Sequence, residues 1–267
     1  MRRLAFFLFA LCSQTIFAQA NRFIYQVSMK TDSTDRNTIK TEIAHLDISD
    51  GNSIFYGENR LKRDSLISKM RQTGSFNFDR TQMQNLRSNL DFIIEKDLKS
   101  GKKIFKGRIL RDQFSYEEDR LMEWKILSET ATIGEYKTQK AETKFAGRTW
   151  YAWFTTEVPF QDGPYKFSGL PGLIVKVEDS TGDYSFDLKE AKKIKEVATF
   201  EQRGTTINVK RAAFVKQQEQ FEKDPMGAIS NMGSQGVRIE MDTNQRKQME
   251  DRRKEEIKKN NNPIELK

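Results

Sequence analysis

The chain has one cysteine, one histidine and five prolines in 267 residues. Each scarcity excludes something. A Cys/His zinc centre needs about four such ligands, and Cys12 with His45 cannot supply them. A Ser-His-Asp triad has only His45 to draw on, and no G-x-S-x-G elbow presents a serine. No G-x-G-x-x-G or Walker loop occurs, so nucleotide binding has no basis in the sequence. No cofactor and no metal are expected. Beyond the first residues, no apolar run approaches the ~20 residues of a membrane-spanning helix. The longest, Leu170–Val177, is strand-sized and interrupted by Pro171. There is no internal repeat.

The first twenty residues have a different character. Arg2 and Arg3 precede an apolar run, Leu4 to Cys12, and small and polar residues lead on to Ala18-Gln19-Ala20. That order is the layout of a cleavable signal peptide. Cleavage after Ala20 leaves Asn21 as the new terminus and 247 residues. Cys12 follows Leu11, not the small residue that lipoprotein processing requires, so no lipid anchor is expected. The expected product is exported: periplasmic, associated with the outer membrane, or secreted, with no transmembrane segment. It contains no cysteine, so its stability must come from a packed core and not from disulfides.

Charged residues make up 31% of the chain, against about a quarter in an average domain. The formal charge of +8 falls to +6 once Arg2 and Arg3 are removed. A basic balance fits a polyanionic partner or simply a solvated surface. Export and the interspersion of acids with bases argue against nucleic acid. An unknown envelope protein, a glycan or a lipid is the expected class of partner.

From Arg22 to about Leu188 the pattern is β: short runs of Val, Ile, Thr, Phe, Tyr and Trp between turn residues. Strands are predicted at 23–29, 41–48, 53–56, 92–96, 103–107, 113–117, 122–127, 136–145, 148–155, 173–178 and 184–188. Residues 60–90 carry helical spacings broken at Gly74, and 211–223 spell an amphipathic helix ended by Pro225. Asn231–Gly236 is expected to be a flexible connection. Between Arg246 and Lys259 lie seven Lys/Arg and four Asp/Glu with almost no apolar stripe, which is the pattern of an exposed helix or a disordered tail. The predicted organisation is a signal peptide over 1–20, a β-rich domain over 21–200, and a charged helical extension of that domain over 201–267.

Chemistry-bearing candidates are few. Asp179 and Asp183 face each other across a hairpin tip, where they either hold Ca²⁺ weakly or are ordinary turn residues. Phe160–Ile174 is unusual, with three glycines and two prolines among apolar residues. Such a composition fixes a non-repetitive path, which folds over the core or forms a hydrophobic lip. Trp150, Tyr151, Trp153, Tyr165 and Phe167, with Arg148 as the nearest cation, are candidates to line a ligand or partner surface; the alternative is that these rings are core.

Gly169-Leu170-Pro171-Gly172-Leu173-Ile174 spells GLPGLI. With Gly147–Thr155, Val158-Pro159, Gly163-Pro164, Phe167 and the closing Asn262-Pro263-Ile264-Glu265-Leu266, it resembles the GLPGLI family of exported proteins of Bacteroidetes-type bacteria. The resemblance implies a curved antiparallel sheet, a partial barrel. It is similar to the bowl-like N-terminal domain of some bacterial peptide N-glycanases, which lies beside their catalytic part. It supplies no catalytic residues. The resulting expectation is a mainly β, non-catalytic envelope protein that binds a ligand or partner. Its rivals are a carboxylate-dependent enzyme on glycan or peptide and a carrier or chaperone for lipidated envelope proteins.

Overall fold

The computed structural model describes residues 20–74, 80–110, 112–200, 205–225 and 242–266. Residues 1–19 of the expected leader, the expected connection at 231–236 and Lys267 lie outside the described residues.

Twelve strands form one open sheet: β1 (Ala20–Met29), β2 (Lys40–Ser49), β3 (Asn52–Gly57), β4 (Phe92–Asp97), β5 (Lys103–Ile109), β6 (Asp112–Glu117), β7 (Lys125–Ile133), β8 (Tyr136–Phe145), β9 (Arg148–Thr155), β10 (Leu173–Asp179), β11 (Tyr184–Ile194) and β12 (Thr206–Asn208). Their order is β12-β6-β5-β4-β3-β2-β1-β11-β10-β9-β8-β7. All pairs are antiparallel except β12–β6. The sheet does not close: β12 and β7 are its two edges.

It is nevertheless bent. Phe55 on β3 and Phe186 on β11 are three strand spacings apart in the sheet, about 14 Å if the sheet were flat. Their rings meet edge-on at 6.2 Å. The concave face therefore curls round a shared interior, in which period-two residues such as Phe23, Tyr25, Val27 and Met29 are buried. Residues 162–167, with Leu170, fill that interior, and their path is what the bend closes upon.

Among the described residues four helices lie around the sheet: α1 (Glu58–Thr73), α2 (Arg80–Asn85), α3 (Arg211–Lys223) and α4 (Thr243–Lys258). Helix α3 inserts Phe214 against Phe105, Phe114 and Tyr116. Helix α4 is exposed, its start capped by Asp242, whose carboxylate accepts from the Gln245 amide at 2.8 Å.

Three strands differ from the sequence pattern. β7 starts at Lys125, not Met122, because Met122 and Trp124 pack against the core from a loop and the Trp124 indole donates to the Ser168 carbonyl at 2.9 Å. It continues to Ile133 through polar residues, since an exposed edge needs no apolar alternation. β11 runs on to Ile194, carried by backbone pairing with β1 and not by burial. β12 is too short to leave a pattern.

Candidate functional site

The Gly/Pro-rich segment is built into the interior. Leu170, Leu173 and Ile174 are buried, whereas Pro171 is exposed at the bend. A Cβ on Gly172 would lie 2.0 Å from the Thr155 carbonyl oxygen, so only glycine lets the segment pass the end of β9. The Ile174 amide donates to the Asp162 carbonyl at 2.9 Å, and the Tyr25 hydroxyl donates to the Ile174 carbonyl at 2.7 Å.

Trp150, Tyr165 and Phe167 are at most 2% exposed. Phe167 is the hub: the rings of Trp124, Phe145, Trp150, Tyr165 and Phe186 all lie within 6.4 Å of its centroid. A ligand would reach these three only by displacing their neighbours. Trp153 and Tyr151 point to the other face and are half-buried, with the Lys140 ammonium 5.7 and 4.6 Å from their ring centres.

Arg148 is buried, and its guanidinium joins two distant parts of the chain. It donates to the carboxylates of Asp179 at 2.7 Å and Asp183 at 3.4 Å. It also donates to Asn262 Oδ1 at 2.6 Å and to the carbonyls of Pro263 and Ile264 at 2.7 and 3.1 Å. Arg36 donates to Asp183 at 2.5 Å. The two aspartates are thus engaged by arginines, and among the described residues no group of three or more His, Cys, Asp or Glu side chains is placed to hold a metal ion.

A second cluster centres on Lys166, which donates to Tyr116 at 2.9 Å, Glu118 at 2.6 Å and Glu265 at 2.5 Å. Burial works against the Lys166 charge, but Glu265, Tyr116 and Glu118 outweigh it and raise the ammonium above its ordinary value. Burial likewise opposes ionisation of Glu118, yet the Arg120 hydrogen bond and Lys166 hold its carboxyl at about 2. A third buried pair joins Lys96 to Asp162, and Lys96 also donates to the Gly163 carbonyl at 2.6 Å. Burial keeps the Lys96 ammonium below its usual range despite Asp162. All three clusters pin the interior segment or the 262–266 peptide to the sheet.

An open groove lies elsewhere, on the convex face. A groove of about 620 Å³ runs between β3–β5 and the segment Val197–Phe200. Register builds its floor: Asp47, Ile54, Glu95 and Ile104 are successive cross-strand neighbours, with Ile93 beside them. Glu95 pairs with Lys106 at 2.6 Å. Asp47 is fully buried at one end, where it accepts from Arg22 at 2.6 and 2.7 Å, Tyr56 at 3.0 Å and the Ala198 amide at 3.1 Å. Phe200 caps that end, edge-on to Tyr56 at 5.0 Å. His45, on the same face of β2, is buried against the Tyr56 ring, and burial with the Arg22 charge lowers its pKa, which favours the neutral imidazole.

None of Arg148, Trp150, Trp153, Tyr165, Phe167 or Gly169–Ile174 lines this groove. Its signal in the sequence was the apolar doublets Ile54-Phe55, Ile93-Ile94 and Ile104-Phe105. One residue of each doublet must face away from the core, so the opposite face also carries apolar surface.

A family model described as a protein of unknown function (Porph_ging) matches residues 145–176, from the end of β8 into β10. Among solved structures, the chain is similar to PNGF-II in its P21 and C2 crystals, with TM-scores of 0.53 and 0.51 and sequence identities of 16% and 17%. The likeness is one of fold. It covers 74% of this chain and only 33% and 32% of those chains, so this chain spans about a third of their length. No curated protein matches.

Proposed function

We propose that this chain is an exported, non-catalytic envelope module that binds a ligand or partner through the groove on the convex face of its sheet. The observation that carries this reading is the groove itself: an isoleucine floor between polar walls, left open on a sheet whose concave face is filled by its own chain. Apolar area with a few placed polar groups is the usual make-up of a binding site. Export is supported by Arg2-Arg3, the apolar run and Ala18-Gln19-Ala20. The sheet begins at Ala20, so cleavage there leaves almost all of β1 in place.

Binding is favoured over carboxylate catalysis because all three acids of the groove are engaged, Asp97 by the Ser100 hydroxyl at 2.7 Å. Asp47 is held by Arg22 and Tyr56, and Glu95 by Lys106. The same ion pair and the polar walls count against a lipid chain as the occupant.

The test is a binding screen of oligosaccharides and peptides against the exported form, repeated with Ile104→Lys. A ligand that binds the parent and not the variant supports the reading. Ligands that bind both equally place the site elsewhere.

A further inference from the structure

Three lysines, Lys96, Lys103 and Lys166, lie in one charged region on the concave side, where the charges of Lys96 and Lys166 act on Lys103. Lys96 and Lys103 are direct register partners across β4 and β5, so their side chains leave the same face with Cβ atoms about 5 Å apart. The Lys96 ammonium is matched by Asp162, and that of Lys166 by Glu118 and Glu265. The Glu118 amide donates to the Lys103 carbonyl at 2.8 Å, which fixes that backbone against the Lys166 cluster. The Lys103 side chain is half-buried and has neither a hydrogen bond nor an ion pair among the described residues. It is the one cation of the three without a direct ionic partner among the described residues.

We propose that Lys103 is a nucleophilic amine that accepts acyl groups from activated acyl donors such as acyl phosphates. A lysine is activated as a nucleophile when it is desolvated or set beside another cation, and both conditions hold here. Burial and the Lys96 charge push the Lys103 ammonium down to about 8, with Asp162 and Glu118 opposing and Lys166 adding to the fall. In the step, the amine lone pair bonds to the carbonyl carbon and the bond from that carbon to the phosphate oxygen breaks. Phosphate leaves with the electron pair, and one amine proton passes to water. The product is a neutral amide, so acylation removes the charge that lacks a partner. An imine formed with an aldehyde would restore a cation, which is why acyl donors are the class that fits.

Lys102 provides an internal reference one residue away: it is 47% exposed and pairs with Glu117 at 2.8 Å. Treating the folded chain with acetyl phosphate, at less than one acetyl group per chain, and mapping peptides by mass spectrometry compares the two directly. Lys103 should react about tenfold faster than Lys102 at pH 7.5, since an ammonium lowered to about 8 is in part neutral there. Its rate should rise through a midpoint near 8. Acetylation of Lys103 no faster than Lys102, including none at all, would overturn the proposal, as would a midpoint above pH 10.

Discussion

Arg148 and Asn262 are 114 positions apart in the chain and 2.6 Å apart in space. Between them they attach the segment 262–266 to the turn joining β8 and β9. Asn262 also donates to the Lys30 carbonyl at 2.8 Å and accepts from the Tyr184 hydroxyl at 2.6 Å through its own carbonyl. The Leu266 amide donates to the Ala146 carbonyl at 2.8 Å, and Ile264 packs on the core.

Replacing Arg148 with alanine leaves Asp179 buried without its cation, while Asp183 keeps Arg36. Removing one partner of a buried pair costs about 3–5 kcal/mol, and a fall of that size in denaturant-unfolding free energy is expected. Arg148→Lys keeps a charge but loses the fork that reaches both segments, so it should fall between the parent and the alanine variant. Equal stability of all three would refute the role given to Arg148.

Phe167→Ala removes the ring that five others touch. The expected loss is about 3–5 kcal/mol, read from chemical denaturation followed by tryptophan fluorescence, because Trp124 and Trp150 are among the five. Trp153→Ala, on the other face, should cost distinctly less.

Gly172→Ala places a methyl group 2.0 Å from the Thr155 carbonyl oxygen, with backbone on both sides. The variant should fold poorly or melt far below the parent. Pro171→Ala, at the exposed neighbour, should stay within about 0.5 kcal/mol. Thermal unfolding of the pair separates the two halves of the motif.

Acid should loosen the Lys166 cluster. Glu118 is held at about 2 in the folded chain against an ordinary 4.5, so the folded state binds its proton less readily than the unfolded state. The contribution, about 3 kcal/mol, is complete above pH 4.5 and is lost as pH falls towards 2. Glu265 is lowered in the same direction: burial opposes ionisation, but Lys166 and Arg120 prevail. A melting series across this range should fall steeply for the parent and less so for Glu118→Gln. Parallel curves would show that the cluster does not govern acid stability.

Most of the strands were legible because one face of each is buried and alternation records that. The hairpin turns were legible too: Ala146-Gly147 both take positive φ, 52° and 77°, as a two-residue turn of this kind requires. The long polar edge β7 and the tail of β11 were not, since backbone pairing alone leaves no trace in residue type. Three residues of the candidate surface lie in the core for a related reason. Large rings mark a place where area is buried, and Trp150, Tyr165 and Phe167 carry the same signal in a core as in a binding site. The groove is floored by Ile54, Ile93 and Ile104, ordinary residues whose meaning appears only when β3, β4 and β5 are set side by side. The resemblance had drawn attention to both 147–155 and 262–266, but no local rule brings Arg148 to Asn262.

That closure has a consequence for biogenesis. The ribosome makes Asn262 long after Arg148, so the nascent polypeptide carries an unsealed interior through most of its synthesis. A chain that cannot complete its own lock early stays pliable, which is the condition that the export proposed above would require.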